Sequence, residues 1–313
     1  MHFTFQPLKL FESVFRNKSY TRASEELFLT QPAISIQLKR LEEQIGLPLF
    51  EQVGKKIFPT LAGEAVYEAS IDILNRVSNL KGSIESLQGV VKGPMKISVV
   101  TTAKYFMPHL LGAFLKHYPD VEPRLKFTNR ANVVDRLLQN KDDFVIMGQI
   151  PDDNKFQAYP FLENILVPVA PFGHPLTKKK NISLKQLIKE RILGREIGSG
   201  TRLVFNRLLE QKGLKIEPYM ELSSSEAIKQ GVMAGLGLAV LSLHSIRLEL
   251  NTGKLIVLDV EGFPIKRRWF VVHLKNKQLS LTAKTFFEYI LNNSHQVLNN
   301  DEASITKDIV DII

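Results

Sequence analysis

The reactive inventory of this 313-residue chain is seven histidines and no cysteine, and it supplies no catalytic constellation. Without cysteine there is no thiol nucleophile, no disulfide framework and no thiolate-ligated zinc. His2, His109, His117, His174, His244, His273 and His295 form no HExxH or other close pair at ligand spacing, and no G-x-S-x-G elbow is present. The GSGTR run at 198–202 lacks the lysine and following hydroxyl of a P-loop. Catalysis, a metal centre and a cofactor are therefore not expected. What remains is the chemistry of binding. Thr101 and Thr102 end one strand-like run and open a helical one, so their hydroxyls and the first-turn amides suit an anion or carboxylate. Asn129 and Arg130 hold the same place after the next strand. In 198–202, Ser199, Thr201 and Arg202 sit on a glycine-bearing loop that opens a third helix; it has two readings, a tight turn or a cradle of free amides. Three such starts meeting in one cleft, with Arg130, Arg202 and Lys104 near, favour an anionic small metabolite, phosphorylated ones included.

The elements that must position these residues follow from periodicity. From residue 95, strand-like runs at 96–100, 121–127, 144–147, 166–170, 238–241, 255–259 and 269–274 alternate with helical runs. The helices fall near 103–117, 131–139, 183–190, 202–212, 225–234 and 280–292. Such alternation predicts α/β units with largely parallel sheets, and two of them leave a cleft where strand ends meet helix starts. The breaker-rich run GVVKGP at 89–94 marks a boundary before this half. After Ser294 the chain turns polar and acidic apart from isoleucines 305, 309, 312 and 313.

The first 93 residues are of another kind. Leu8, Phe11, Val14 and Phe15 make one helical stripe, and residues 21–45 read as two short helices joined by a tight turn. In the second, Ile34, Leu38, Leu41 and Ile45 face inward, and Pro32, Ser35, Ile36, Lys39 and Glu43 lie opposite. Thr30 and Thr21 are placed as N-caps. Short strand-like runs flank a Gly54-Lys55 turn and form a β-ribbon wing with Lys55 and Lys56 at its tip. Thr60 caps a long helix to about residue 89. Its Val66, Ile73, Leu80 and Leu87, interleaved with Ser70, Val77 and Ile84, trace a heptad seam that favours pairing between subunits.

The net charge of +9 does not point at this segment: residues 1–93 carry 11 Lys and Arg against 10 Asp and Glu, and the rest carry 30 against 22. Local placement has to carry any nucleic-acid argument. No secretory leader and no apolar run of membrane-spanning length is visible, so a soluble cytoplasmic protein is expected.

Residues 19–64, SYTRASEELFLTQPAISIQLKRLEEQIGLPLFEQVGKKIFPTLAGE, resemble the winged helix-turn-helix of LysR-type transcriptional regulators. The shared features are A-x-x-L in the first helix, T-Q-P-A-I-S opening the second, L-E-x-x-I-G-x-P-L-F leaving it, and T-x-A-G at the linker helix. GRE-x-GSGTR and G-V-x-A-G-L-G-L-A-V-L at 231–241 are similar to landmarks of the family's effector domain. SYTRA, LTQPA, LFEQ-x-GKK and PFGHPL look most like the branch that regulates carbon-fixation (RuBisCO) operons. The resemblance implies an α/β protein with an all-α N-terminal part, in five segments. These are a DNA-binding domain at 1–59, a linker and dimerisation helix with hinge at 60–93, effector subdomain I at 94–163 and 267–293, subdomain II at 164–266, and a tail at 294–313. The two subdomains are implied to fold like periplasmic binding proteins, in a homotetramer whose effector re-angles DNA-bound dimers.

Carried onto this sequence, the motif implies that Gln31, Pro32, Ser35 and Ile36 approach base edges of double-stranded promoter DNA. Gln31 suits a bidentate contact to adenine, and Ile36, where other members place arginine, suits a thymine methyl. Arg22, Lys39, Lys55 and Lys56 would hold phosphates, with Thr30 as cap and phosphate neighbour. The effector residues are expected to be Thr101, Thr102, Asn129, Arg130, Ser199, Thr201 and Arg202. The alternatives are a regulator of another metabolic operon, a solute-binding protein without regulatory activity, and an architectural DNA-binding protein. The attached helix-turn-helix argues against the second, and the bilobal half against the third.

Overall fold

A computed structural model describes residues 4–54, 56–87 and 89–302. They fall into two units, one ending at residue 88 and the other starting at 89.

In the first unit, helices α1 (Phe5–Asn17), α2 (Tyr20–Leu27) and α3 (Gln31–Ile45) precede a two-stranded antiparallel ribbon, β1 (Phe50–Val53) and β2 (Lys56–Pro59). The long helix α4 (Leu61–Leu87) follows. The predicted stripes close one core: Phe11, Val14, Ala23 and Ile34 are fully buried, with Leu8, Leu10, Leu38 and Leu41 nearly so. Each of these apart from Ala23 contributes about 1.5–3 kcal/mol on burial. Thr30 caps α3 by accepting from the Ala33 amide, and Gly46 ends it in the left-handed region at φ 78°. Helix α2 is capped not by Thr21 but by Ser19, which accepts from the Arg22 amide, because the helix begins at Tyr20. The Glu42 carboxylate accepts from the amides of Leu49 (2.7 Å) and Phe50 (3.3 Å), fastening the ribbon to α3. Gly63 is required: a Cβ there would lie 2.2 Å from the Leu49 carbonyl oxygen. Along α4 the seam residues Ile73, Val77 and Leu80 are exposed. The side chains of Ile84 and Leu87 lie outside the described residues, as does Lys55.

The second unit opens with β3 (Gly93–Val100), a 3-10 turn at Thr101–Tyr105, α5 (Met107–Leu115), β4 (Val121–Thr128), α6 (Arg130–Leu138) and β5 (Phe144–Met147). A sixteen-residue strand, β6 (Phe156–Pro171), leads away into α7 (Leu184–Leu187), β7 (Leu193–Arg195), α8 (Gly200–Gln211), β8 (Met220–Leu222), α9 (Ser225–Met233), β9 (Ala239–Ser242), α10 (Leu243–Asn251) and β10 (Leu255–Val257). Strand β11 (Ile265–Leu274) returns, and α11 (Leu281–Glu302) closes the chain. Separate apolar cores divide this unit into two lobes. One is built on Met95, Ile97, Phe106, Phe114, Phe144 and Phe286, and the other on residues such as Leu166, Leu187, Phe205, Leu238 and Val240.

Two expectations change here. The strands do not form two largely parallel sheets. Parallel strand pairing joins β3 with β4 and β5, and β7 with β8, with single parallel bridges at Ile182–Val260 and Ile192–Leu238; β6 and β11 pair antiparallel over ten residues of each and thread both lobes into one seven-stranded sheet. A chain that leaves the first lobe and returns to it must do so in opposite directions, which makes this pair antiparallel. The last helix also runs beyond 292 to Glu302, because Ser294 and Leu298 face inward and extend its apolar stripe. Residues 303–313, with the tail isoleucines, lie outside the described residues.

Candidate functional site

Two surfaces bring the singled-out residues together. On α3, Gln31, Pro32, Ser35, Ile36 and Lys39 are all exposed, opposite the buried Ile34, Leu38 and Leu41. Ile36 keeps 54% of its surface, an apolar side chain on a polar face. Arg22 near the start of α2 and Lys56 on the wing are exposed as well. One neighbour was not legible in the sequence: Phe28, in the left-handed conformation between α2 and α3, is 95% exposed beside the N-terminus of α3.

The second surface is a cleft between the lobes of the second unit, about 340 Å³ with its open mouth included. Thr101 and Thr102 at the end of β3, Asn129 and Arg130 at the start of α6, and Ser199 and Thr201 at the start of α8 all line it. The three strand-to-helix junctions therefore converge. At their meeting point glycine keeps the backbones close: Gly198 is at φ 89°, and a Cβ there would lie 3.2 Å from that of Ala131 in the other lobe.

Arg202 is the correction. One turn-third further round α8 than Thr201, its guanidinium points away from the cleft, donating to the Arg195 carbonyl at 2.9 Å and pairing with Glu221. Lys104 does not line the cleft either; its ammonium lies over the Tyr105 ring, 5.0 Å from the centroid.

The cationic role is shared by the expected Arg130 and by two residues that no strand-to-helix junction points to, Arg195 and Arg267. Arg195, 4% exposed at the end of β7, donates to Thr101 Oγ1 (3.0 Å) across the cleft and to Ser225 Oγ (2.9 Å), and is held by both oxygens of Glu196 at 2.8 and 2.9 Å. Arg130 donates through Nε to the Gln149 carbonyl at 2.8 Å, and burial, then the charge of Arg207, lowers its pKa. Arg267 reaches the Gly200 carbonyl at 3.3 Å, but its Nε has no hydrogen-bond partner, and burial alone pulls its pKa down to about 10. It stands on β11 opposite Asn164 of β6, where the chain crosses between lobes. Two more buried donors there, Asn164 Nδ2 and Trp269 Nε1, are also unpaired. A concentration of unsatisfied donors in a folded protein marks a place built for something else. Behind the cleft, the Tyr105 hydroxyl donates to Glu226 at 3.0 Å, and Lys229 joins Glu226 (2.9 Å) to Glu249 (2.8 Å). Burial and the bond to Glu226 both drive the Tyr105 pKa upward.

Among the described residues no helix is long and apolar enough to cross a membrane, and no group of three or more His, Asp or Glu is arranged to hold a metal ion.

Comparison with known proteins agrees with this arrangement. Residues 5–64 match the bacterial regulatory helix-turn-helix of the lysR family, and residues 88–294 match the LysR substrate binding domain. The chain is 45% identical to the HTH-type transcriptional activator CmpR of Synechocystis over 287 residues, 92% of this chain and 94% of that one. It is also 45% identical to the RuBisCO operon transcriptional regulator of Acidithiobacillus ferrooxidans, with the same coverage. Among solved structures, the regulatory domain of Synechocystis CcmR in complex with 2-PG is 41% identical at a TM-score of 0.62, covering 65% of this chain and 98% of that one. Full-length OxyR from Pseudomonas aeruginosa, at 20% identity, shares the fold over 94% of this chain and 95% of its own, with a TM-score of 0.72. The chain belongs to the LysR family: it is a DNA-binding transcriptional regulator with an effector-binding domain, and not an enzyme.

Proposed function

We propose that this regulator controls carbon-fixation genes and that its effector is a small phosphorylated carboxylate of the 2-phosphoglycolate type, bound between the two lobes. The observation that carries the reading is Arg267, a half-buried residue in the wall of the cleft whose buried Nε is unpaired and whose guanidinium has no acidic partner among the described residues. A buried charge left alone is costly, and a ligand carboxylate or phosphate removes that cost on binding. Thr101, Thr102, Asn129, Arg130, Ser199 and Thr201 contribute hydroxyls, amides and a second cation to the same space. The choice of gene class draws on relatives at 45% and 43% identity that are named RuBisCO operon transcriptional regulators, and the choice of ligand on the CcmR complex.

In this reading residues 1–59 bind DNA, through Gln31, Pro32, Ser35 and Ile36 at base edges and Arg22, Thr30, Lys39, Lys55 and Lys56 at phosphates. Residues 60–93 are the linker. The exposed seam of Ile73, Val77 and Leu80 pairs two α4 helices in a homodimer, and dimers associate into a cytoplasmic homotetramer. Effector subdomain I comprises 94–163 and, from 267, the return strand and α11 to residue 302; subdomain II comprises 164–266, and 303–313 are the tail.

Isothermal titration calorimetry of the full chain with 2-phosphoglycolate tests the ligand assignment. Saturable binding at one site per chain is expected. No heat and no competition with any phosphorylated carboxylate would remove the assignment.

A further inference from the structure

We propose that the cleft selects its ligand by ionisation state: it accepts an oxyanion group that carries no proton, so that a phosphoryl ligand binds as its dianion. The proposal rests on the reading of the cleft as an anion site and adds which form of the anion it takes.

The lining residues are three arginines, four hydroxyl side chains, the amides of Asn129 and Gln149, two glycines, Val100 and Trp269, with no aspartate, glutamate or histidine among them. The one carboxylate adjacent to the lining, Glu196, is occupied through both oxygens by Arg195. Other acceptors are engaged from within. The Asn129 side-chain oxygen takes the Asn132 amide at 3.0 Å, the Gln149 carbonyl takes Arg130, and the Gly200 carbonyl takes Arg267. Thr101 Oγ1 already accepts from Arg195, which leaves its own proton free to be donated. A ligand oxygen placed here meets guanidinium groups, amides and hydroxyls, and no free carboxylate.

A P–OH group in that setting finds only neutral acceptors for its proton, with no free carboxylate or imidazole on the lining to share it. Protonation also removes one negative charge from among three guanidinium groups. The charged groups around the site are Arg130 with Arg207 near it on α8, Arg195 with Glu196 on the β7 side, Arg267 on β11, and Glu226 beside Tyr105 behind the cleft. With no histidine or free carboxylate on the lining, the pH dependence of binding between about pH 5 and 8 belongs to the ligand. A phosphate ester takes up its second proton with a pKa of about 6. Carboxylates stay ionised above about pH 5.

The test is calorimetry on the full chain across pH 5.0–8.0 at fixed ionic strength, with 2-phosphoglycolate and with inorganic sulfate as an oxyanion unprotonated throughout that range. Affinity for 2-phosphoglycolate is expected to fall roughly tenfold between pH 7.5 and pH 5.0, following the dianion fraction, while sulfate binds with no such fall. Gln149→Glu, which places a carboxylate on the wall, should weaken sulfate by more than tenfold and flatten the 2-phosphoglycolate profile. If that variant does not fold, the two wild-type profiles decide. Binding of 2-phosphoglycolate that is constant across the range overturns the proposal and leaves the anion site intact. So does a sulfate profile that falls in parallel, or sulfate that does not bind when 2-phosphoglycolate does. Failure of both probes at every pH removes the anion site and this proposal together.

Discussion

The recognition helix and the interlobe cleft are both built on helix N-termini, and they treat their polar groups in opposite ways. On α3, Gln31, Ser35 and Lys39 stand in solvent on a helix whose stability comes from its other face, from Ile34, Leu38 and Leu41. In the cleft, Arg195 is nearly fully buried and tied to Thr101, Ser225 and Glu196, and Arg267 is half-buried with a buried, orphaned Nε. An exposed surface reads its partner by the types of side chain it offers, which can be exchanged at little cost to the fold. A buried one reads by groups already fixed in place, so a single change alters both what binds and what the fold must tolerate.

This contrast is sharpest at Arg267. Arg267→Met should weaken 2-phosphoglycolate binding by a hundredfold or more, the scale for removing one partner of a desolvated charge pair. The melting temperature of the ligand-free chain should hold or rise, because an unpaired buried cation is gone. A variant that keeps its affinity, or that loses affinity and melts far lower, breaks the assignment of Arg267 as a ligand group.

Gln31→Ala should have the next largest effect. Loss of a bidentate base contact costs about 1–3 kcal/mol, so operator affinity should drop roughly ten- to a hundredfold while binding to unrelated DNA and the melting temperature stay put. Equal losses on both DNAs, read by gel shift at one salt concentration, would take Gln31 out of base readout.

Lys39→Ala or Lys56→Ala should act more weakly and without regard to sequence. Each should reduce the slope of log affinity against log salt by about one; an unchanged slope would make that lysine a bystander.

The smallest effect expected is on acid stability of the first unit. Burial raises the Glu26 pKa, but hydrogen bonds from Arg16, Asn17 and Ser13 outweigh it and hold the carboxyl below its ordinary range. A depressed folded-state pKa stabilises above the unfolded value and is lost as pH falls through the folded one. Glu26→Gln should therefore lower the melting temperature slightly near pH 7 and not near pH 3, by differential scanning calorimetry.

The difference between the two surfaces also decides what could be read from residues alone. The helix-turn-helix was legible because every signal in it is local: a 3.6-residue stripe, the Thr30 cap, the Gly46 stop. Phe28 escaped because nothing in its neighbours fixes its left-handed conformation. In the cleft, Thr101, Asn129 and Ser199 were legible because a strand-to-helix junction is also local. Arg267 and Trp269 were not, since they sit within β11 and reach the cleft only through pairing with β6, about a hundred residues earlier. Arg202 was misplaced because the glycine loop announces a helix start without saying which face of it turns to the cleft. The 16-residue length of β6 was hidden as well: Glu163 and Asn164 interrupt its apolar residues, and the exposed positions of its first half, 157, 160 and 163, do not follow the two-residue period of a strand.

The account's central claim, that the cleft and the recognition helix belong to one ligand-gated regulator, is tested most directly by footprinting. The full chain would be placed on the DNA upstream of its own gene and its divergent neighbour, with and without 2-phosphoglycolate at a concentration shown by calorimetry to saturate it. The account predicts a specific footprint that shortens or shifts when the ligand is added and that Arg267→Met makes indifferent to it. A footprint identical in the two conditions, with the ligand bound, would contradict it.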